Sequence, residues 1–452
     1  MKKIIVMGLL GVIALCIWGC SSSKNNSQAV GKGEASDSSA EASSEAQSSE
    51  AVETEASAES TEASDASEEG GRDSAELAEA ESMDDSIKNA VNSFNWKLYK
   101  AAGDENIFYS AYSIESALAM TDLGADGETK SAMESVLGIE DLESFEQQYK
   151  LFRDKETSET AKLTTANSIW IDKSLTLADN AETDFLKPAE FYFGGELKTV
   201  DFKNGTDAVK SEITEWVNEK TENLIKGYES QADSDTVADI LNAVYFYGEW
   251  QDKFSADNTF KEDFNGSSEK SSVDMMHLDD GYFRYLDDKD GVTGLAVPYS
   301  NSNFEMDIFM SSDESSDISK VFTGDNADGI FEALDSAEET EVEFALPKFT
   351  MDLKFDGLKK ALSDMGMEVA FSENADFSKI AENLMISDIA HQAKIEVDEE
   401  GSRAAAVTEE IMKVTSAMPM EKAEFKVNRP FLFVIRDKES GVIVFTGRVN
   451  NL

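Results

Sequence analysis

The chain has two histidines, His277 and His391, and two cysteines, Cys16 and Cys20, in 452 residues. Nucleophilic catalysis needs a base within reach of a serine or cysteine, and a metal needs several imidazole, thiolate or carboxylate ligands close together. Neither histidine stands in a zinc-binding helix motif or beside clustered carboxylates and cysteines at metal spacing. A GxSxG elbow, a Walker loop, a dinucleotide fingerprint and a CxxC pair are all missing. A Ser-His-Asp set is recognised by geometry and could still assemble in space, but the pattern points to no catalytic residue, metal or cofactor.

Cys20 suggests another chemistry. The stretch "MKKIIVMGLLGVIALCIWGC" has two lysines, an apolar run too short for an ordinary membrane span, and then Gly19-Cys20. That is the layout of a secretory signal peptide, so residues 1–20 are set apart from the fold. A small residue before cysteine resembles the bacterial lipoprotein box, which implies lipidation of Cys20 and attachment to a membrane through that lipid. Simple secretion or an uncleaved anchor is the alternative. Ser21, not aspartate, follows Cys20, so the expectation is an outward-facing cell-envelope lipoprotein or a secreted protein. Cleavage before Cys20 removes Cys16 and leaves one thiol, which excludes an internal disulfide.

Residues 21–82 are Ser, Glu and Ala with scattered Asp and Gly. Almost no apolar side chain is available there to offset the entropy of ordering, so this segment reads as an acidic, disordered tether. Residues 83–452 are long for one domain but rich in Phe, Leu, Ile and Val, with no second break and no repeat. The net charge of −51 argues against nucleic acid and heparin-like polyanions as partners.

Ile87, Val91, Phe94 and Leu98 fall at helical spacing, and "SAYSIESALAMTDLGA" continues in that style. "TANSIWID", "ILNAVYFYGEW", "TGLAVPYS", "FEMDIFM" and "VEFALPKFTM" read as strands. "RPFLFVIRD" and "GVIVFTGRVNN" read as a hairpin turned at Gly441. The class is α+β with extensive sheets. One stretch does not fit: "EEGSRAAAVTEE", Glu399 to Glu410, has helical composition but no apolar stripe, and follows directly on "KIEVD", which alternates like a strand.

"NIFYSAYSIESALAM", "LNAVYFYGEW", "LPKF", "IAHQAKIEVDEEGSRAAAVT" and "NRPFLFVIRD…GVIVFTGRV" resemble the signature segments of serpins, in the family's order and spacing. The resemblance implies the serpin fold: three β-sheets, eight or nine helices and an exposed reactive-centre loop that baits a serine protease. On it, Glu400, Gly401, Ser402, Arg403, Ala404, Ala405, Ala406, Val407 and Thr408 are the hinge of that loop. Inserted as a strand, Ser402, Ala404, Ala406 and Thr408 share one small, uncharged face, while Arg403, Ala405, Val407 and Glu409 share the other. Glu410 departs from this by falling on the inward face.

The family's usual spacing from Gly401 places the scissile bond at Thr415-Ser416, with Lys413, Val414 and Ala417 as alternative positions. Small side chains at Val414 and Thr415 suit elastase-like proteases, and Lys413 is the rival bait for trypsin-like ones. Ser110, Ser113, Asn242 and His391 match the family's polar shutter cluster, and Trp250 matches the tryptophan of the breach, where the loop first enters. The implied activity is suicide-substrate inhibition by a monomer with no cofactor. A non-inhibitory, serpin-fold surface lipoprotein acting as a binding protein is the alternative.

Overall fold

Apolar residues three and four apart build the opening helix. In the computed structural model, which describes residues 77–155, 160–226, 228–402 and 422–452, α1 (Ser86–Ala101) buries Ile87, Val91, Phe94 and Leu98 on one stripe. α2 (Ala111–Asp122) is buried all round and therefore runs through the interior. Ser110 caps it, its Oγ accepting the Ser113 N–H at 3.1 Å. Nine α-helices occur among the described residues, all within the unit Glu68–Leu452.

Six strands form the sheet that matters for function: β1 (Ala161–Asp172), β2 (Glu196–Val200), β3 (Ala238–Glu249), β4 (Phe349–Lys354), β5 (Asp388–Val397) and β6 (Gly401–Ser402). Across the sheet they run β4-β5-β6-β3-β1-β2. β3 is apolar on both faces because both are covered. Ile240, Val244 and Phe246 belong to the central core with α1 and α2, whereas Leu241 and Ala243 pack under the helix Phe202–Lys220.

The remaining strands form one nine-stranded hydrogen-bonded network. Its spine is the long strand Lys270–Lys289, which shifts register against Glu339–Pro347 between Leu278 and Gly281; its other edge pairs with Thr259–Asn265 before that shift and with Val292–Pro298 after it. The described strands therefore make two hydrogen-bonded sheets where three were expected, the larger one being continuous through this strand. The final hairpin, Phe431–Asp437 with Ile443–Val449, is buried throughout, and Gly441 has φ +75°.

"VEFALPKFTM" is two strands, not one. Glu339–Pro347 lies in the nine-stranded sheet and β4 in the six-stranded one, with Lys348 between them. The Lys348 N–H bonds to the Asp274 carbonyl at 2.8 Å, outside either ladder. Apolar periodicity continues across the crossing because both strands face the same core, which hides the break.

Candidate functional site

The geometry of interest is the seam between β3 and β5. These strands pair in parallel from Asp239 with Asp388 to Ala243 with Gln392. At the other end β6 stands between them, antiparallel to both: Ser402 opposes Gly248 and Val397, and Gly401 opposes Glu249. Between the two zones, Val244 to Tyr247 and Ala393 to Glu396 share no ladder among the described residues. The seam is thus shut below, open in the middle, and occupied above by the first two residues of the small-residue stretch.

Contacts at the upper end are close. A Cβ on Gly401 would lie 2.0 Å from the Gly248 carbonyl oxygen, so only glycine fits there without displacing backbone. Ser402 is fully buried, and its Oγ lies 2.7 Å from the Tyr299 hydroxyl. The Tyr299 ring stacks on Trp250 with centroids 4.8 Å apart, and the Trp250 indole N–H donates to the Asp398 carbonyl at 2.9 Å.

Two cations hold the chain just before β6. Lys348 pairs with Glu399, and Lys253 pairs with both Glu400 and Glu249, at 2.8 and 2.9 Å. Burial works to raise the Glu399 carboxyl, but Lys348 and the Thr259 hydroxyl outweigh it and hold its pKa below the ordinary value. Trp250 and Phe254 donate backbone N–H groups to the Glu400 and Glu399 carbonyls.

The second constellation lies at the lower, closed part of the seam. The Ser110 N–H donates to His391 Nε2 at 3.1 Å, so Nδ1 carries the ring proton and donates to Asn242 Oδ1 at 2.9 Å. Asn242 Nδ2 then donates to Asn167 Oδ1 at 2.8 Å, and Asn167 Nδ2 to Ser116 Oγ at 3.0 Å. Ser116 Oγ completes the chain by donating to the Ser113 carbonyl at 2.7 Å. Every donor points the same way along this chain, which links β5, β3, β1 and α2, so each bond polarises the next. Burial pushes the His391 imidazole down to about 3, in keeping with its acceptor role.

A family model described as Serpin (serine protease inhibitor) matches residues 89–452. The chain belongs to the serpin family. An uncharacterized serpin-like protein of Thermococcus kodakarensis is 35% identical over 382 residues, 82% of this chain and 87% of the relative. Antithrombin-III of Homo sapiens is 32% identical over 404 residues, 82% of this chain and 86% of the relative. Among solved structures, the native thermophilic serpin Tengpin superposes with TM-score 0.74 at 28% identity, over 83% of this chain and 96% of that one. Thyroxine-binding globulin in complex with thyroxine gives 0.69 at 25%, over 81% and 98%. Serpins are typically protease inhibitors, and this chain has their α+β fold.

The serpin's expected site residues separate into three groups. Glu400, Gly401, Ser402 and Trp250 meet at the upper end of the seam, and Ser110, Asn242 and His391 meet at the lower part. Ser113 is beside them, but its buried Oγ has no hydrogen-bond partner and only its backbone joins the chain. Arg403, Ala404, Ala405, Ala406, Val407, Thr408, Lys413, Val414, Thr415, Ser416, Ala417 and Cys20 lie outside the described residues.

Three contributors went unnoticed in the sequence: Asn167, Ser116 and Tyr299. Asn167 left a faint signal, a carboxamide within the strand "TANSIWID", whose burial would require a partner. Tyr299 left none, because a tyrosine ending a strand is ordinary.

Proposed function

We propose that this serpin is a suicide-substrate inhibitor of serine proteases, elastase-like by preference, that traps its target by inserting the cut loop between β3 and β5. One observation carries the reading: Ser402 already lies buried between those strands, in register with both. Extending that register sets Ala404 opposite Phe246 and Ile395, Ala406 opposite Val244 and Ala393, and Thr408 opposite Asn242 and His391. These are the small residues of the inward face. The first of them meet the stretch where β3 and β5 have no mutual ladder.

The chemistry comes from the target. The protease serine attacks the Thr415 carbonyl carbon, an acyl ester forms, and the amine of Ser416 leaves with the proton delivered by the protease's own base. Insertion then advances as an antiparallel strand gaining hydrogen bonds on both edges. About fourteen residues at ~3.3 Å each carry the ester on the order of 45 Å, toward the far pole, before water can cleave it. The native state is kinetically trapped, so each molecule acts once.

Glu410 sets the limit. By the same register it arrives opposite Ile240 and Ile389, which are 0% and 4% exposed, and a charged carboxylate there is costly. The N-terminal segment supports a further part of the reading: export, with lipid attachment at Cys20 and an acidic spacer before the domain.

Mixing the purified chain with pancreatic elastase and running denaturing gels tests the reading. A covalent band at the summed mass is expected. Rapid cleavage with no such band at any ratio overturns it. A second reading, a binding protein on the serpin fold, is favoured by the likeness to thyroxine-binding globulin and by the size and charge of Arg403 and Glu410. It predicts no large rise in melting temperature after loop cleavage, whereas the inhibitor gains one.

A further inference from the structure

The lowest pair of the β3–β5 seam is Asp239 opposite Asp388. Neighbouring strands lie roughly 4.8 Å apart, so two carboxylates on adjacent strands at one level share a small space. Asp239 is 2% exposed and its Oδ1 has no hydrogen-bond partner, while Asp388 is half-buried.

The surroundings compensate only in part. Ser230 bonds to the Asp239 carboxyl, and Lys354 of β4 supplies positive charge but lies over the Tyr228 ring, 5.9 Å from its centroid. Trp170, the β1 partner of Asp239, offers no charge, and Lys198 sits over its ring, 4.6 Å from the centroid. Burial first, and then the charge of Asp388, push the Asp239 carboxyl up to about 7.

We propose that Asp239 and Asp388 form a proton-dependent clasp on the seam: a proton on Asp239 lets β3 and β5 stay paired beside the facing Asp388 carboxyl, and its loss favours their separation. The inference rests on the strand-insertion reading above. Two like charges at this distance in a partly buried place cannot both ionise cheaply. A strand entering between them doubles the spacing to roughly 9.6 Å and at least halves the repulsion.

The sign follows from linkage. The Asp239 carboxyl has a higher pKa with the seam shut than with it open, so acid favours the shut form and that advantage is lost as pH rises through about 7. His391, on the same seam, stays neutral across that range because burial holds it near 3. Asp122 and Asp307 are also raised to about 7, but they lie on α2 and on the strand Phe304–Ser311. Variants at the clasp itself therefore have to carry the test.

The full chain, uncut, is incubated with a synthetic peptide of the sequence from Gly401 to Thr415. Glutamines replace both of its glutamates so that the peptide does not titrate. Incorporation is followed by native gel shift and by the rise in melting temperature, from about pH 5.5 to 8. In the native chain the rate should climb about three- to tenfold with pH, tenfold corresponding to one pKa unit between shut and open forms. Asp239→Asn and the less buried Asp388→Asn should both flatten the profile and hold it near the acid rate. A flat native profile, or an unchanged slope in both variants, overturns the clasp alone. Failure of the peptide to enter at any pH overturns the insertion reading and the clasp with it.

Discussion

The Oγ of Ser402 and the hydroxyl of Tyr299 lie 2.7 Å apart, both buried, where the loop begins its descent between β3 and β5. Tyr299→Phe removes one partner and leaves the serine hydroxyl buried and unpaired, at a cost of about 1–3 kcal/mol. The uncut chain should melt lower by a few degrees in a thermal scan. Ser402→Arg places a charge where there is no room, and the protein should then be cut as a substrate, with the covalent elastase band falling at least tenfold. An unchanged band would refute the docking of this residue.

Gly401→Ala tests the closest backbone approach. Its methyl group would meet the Gly248 carbonyl oxygen, so β6 should leave the seam. Trp250 stacks on Tyr299 beneath this point, and release of β6 exposes that pair to water. Tryptophan emission at longer wavelength, with faster proteolysis of the loop, is the expected result.

His391 gives stability a pH dependence. Its folded pKa, about 3, lies below the ordinary value near 6.5, so between these limits the unfolded chain binds a proton that the folded chain does not. Stability from this group is complete above about 6.5 and is lost as pH falls, by up to ~1.4 kcal/mol per pH unit. Urea unfolding of the native chain and of His391→Gln at pH 5 and 7.5 should show a smaller loss on acidification in the variant. Equal losses would show that the imidazole is not held neutral.

Asn167 and Ser113 should behave in opposite ways. Asn167→Ala breaks the chain from His391 to Ser116 and leaves Asn242 Nδ2 without its acceptor, while Ser116 Oγ keeps only the Ser113 carbonyl, costing about 1–3 kcal/mol. Ser113→Ala removes a hydroxyl that has no partner, and should be neutral or slightly stabilising. Denaturant midpoints of the two variants decide the point.

Local signals in the chain were informative where packing follows sequence spacing. The stripe of α1 and the hairpin at Gly441 could be read directly, because each depends on residues close in sequence. Small residues after "KIEVD" marked a segment able to lie between strands, and Ser402 lies there. Other features depend on neighbours distant in the chain. The strand Lys270–Lys289 has no regular alternation, because its register shifts midway, and its burial comes from β-partners supplied elsewhere, so it leaves no clear signal. Asn167 is an isolated polar residue until β1 is laid beside β3. Tyr299 has no role until Ser402 reaches it. Which strands are adjacent is fixed by the whole core, and alternation within one strand does not encode it.

The crossing at Lys348 gives the domain a mechanical property. One residue separates a strand of the nine-stranded sheet from β4, and its side chain grips Glu399 at the head of the loop. A strand driven between β3 and β5 must displace β5 with its partner β4, and that load passes through Lys348 into the other sheet. The residue is at once a pivot and a catch: the movement that widens the seam pulls on the same link that restrained it.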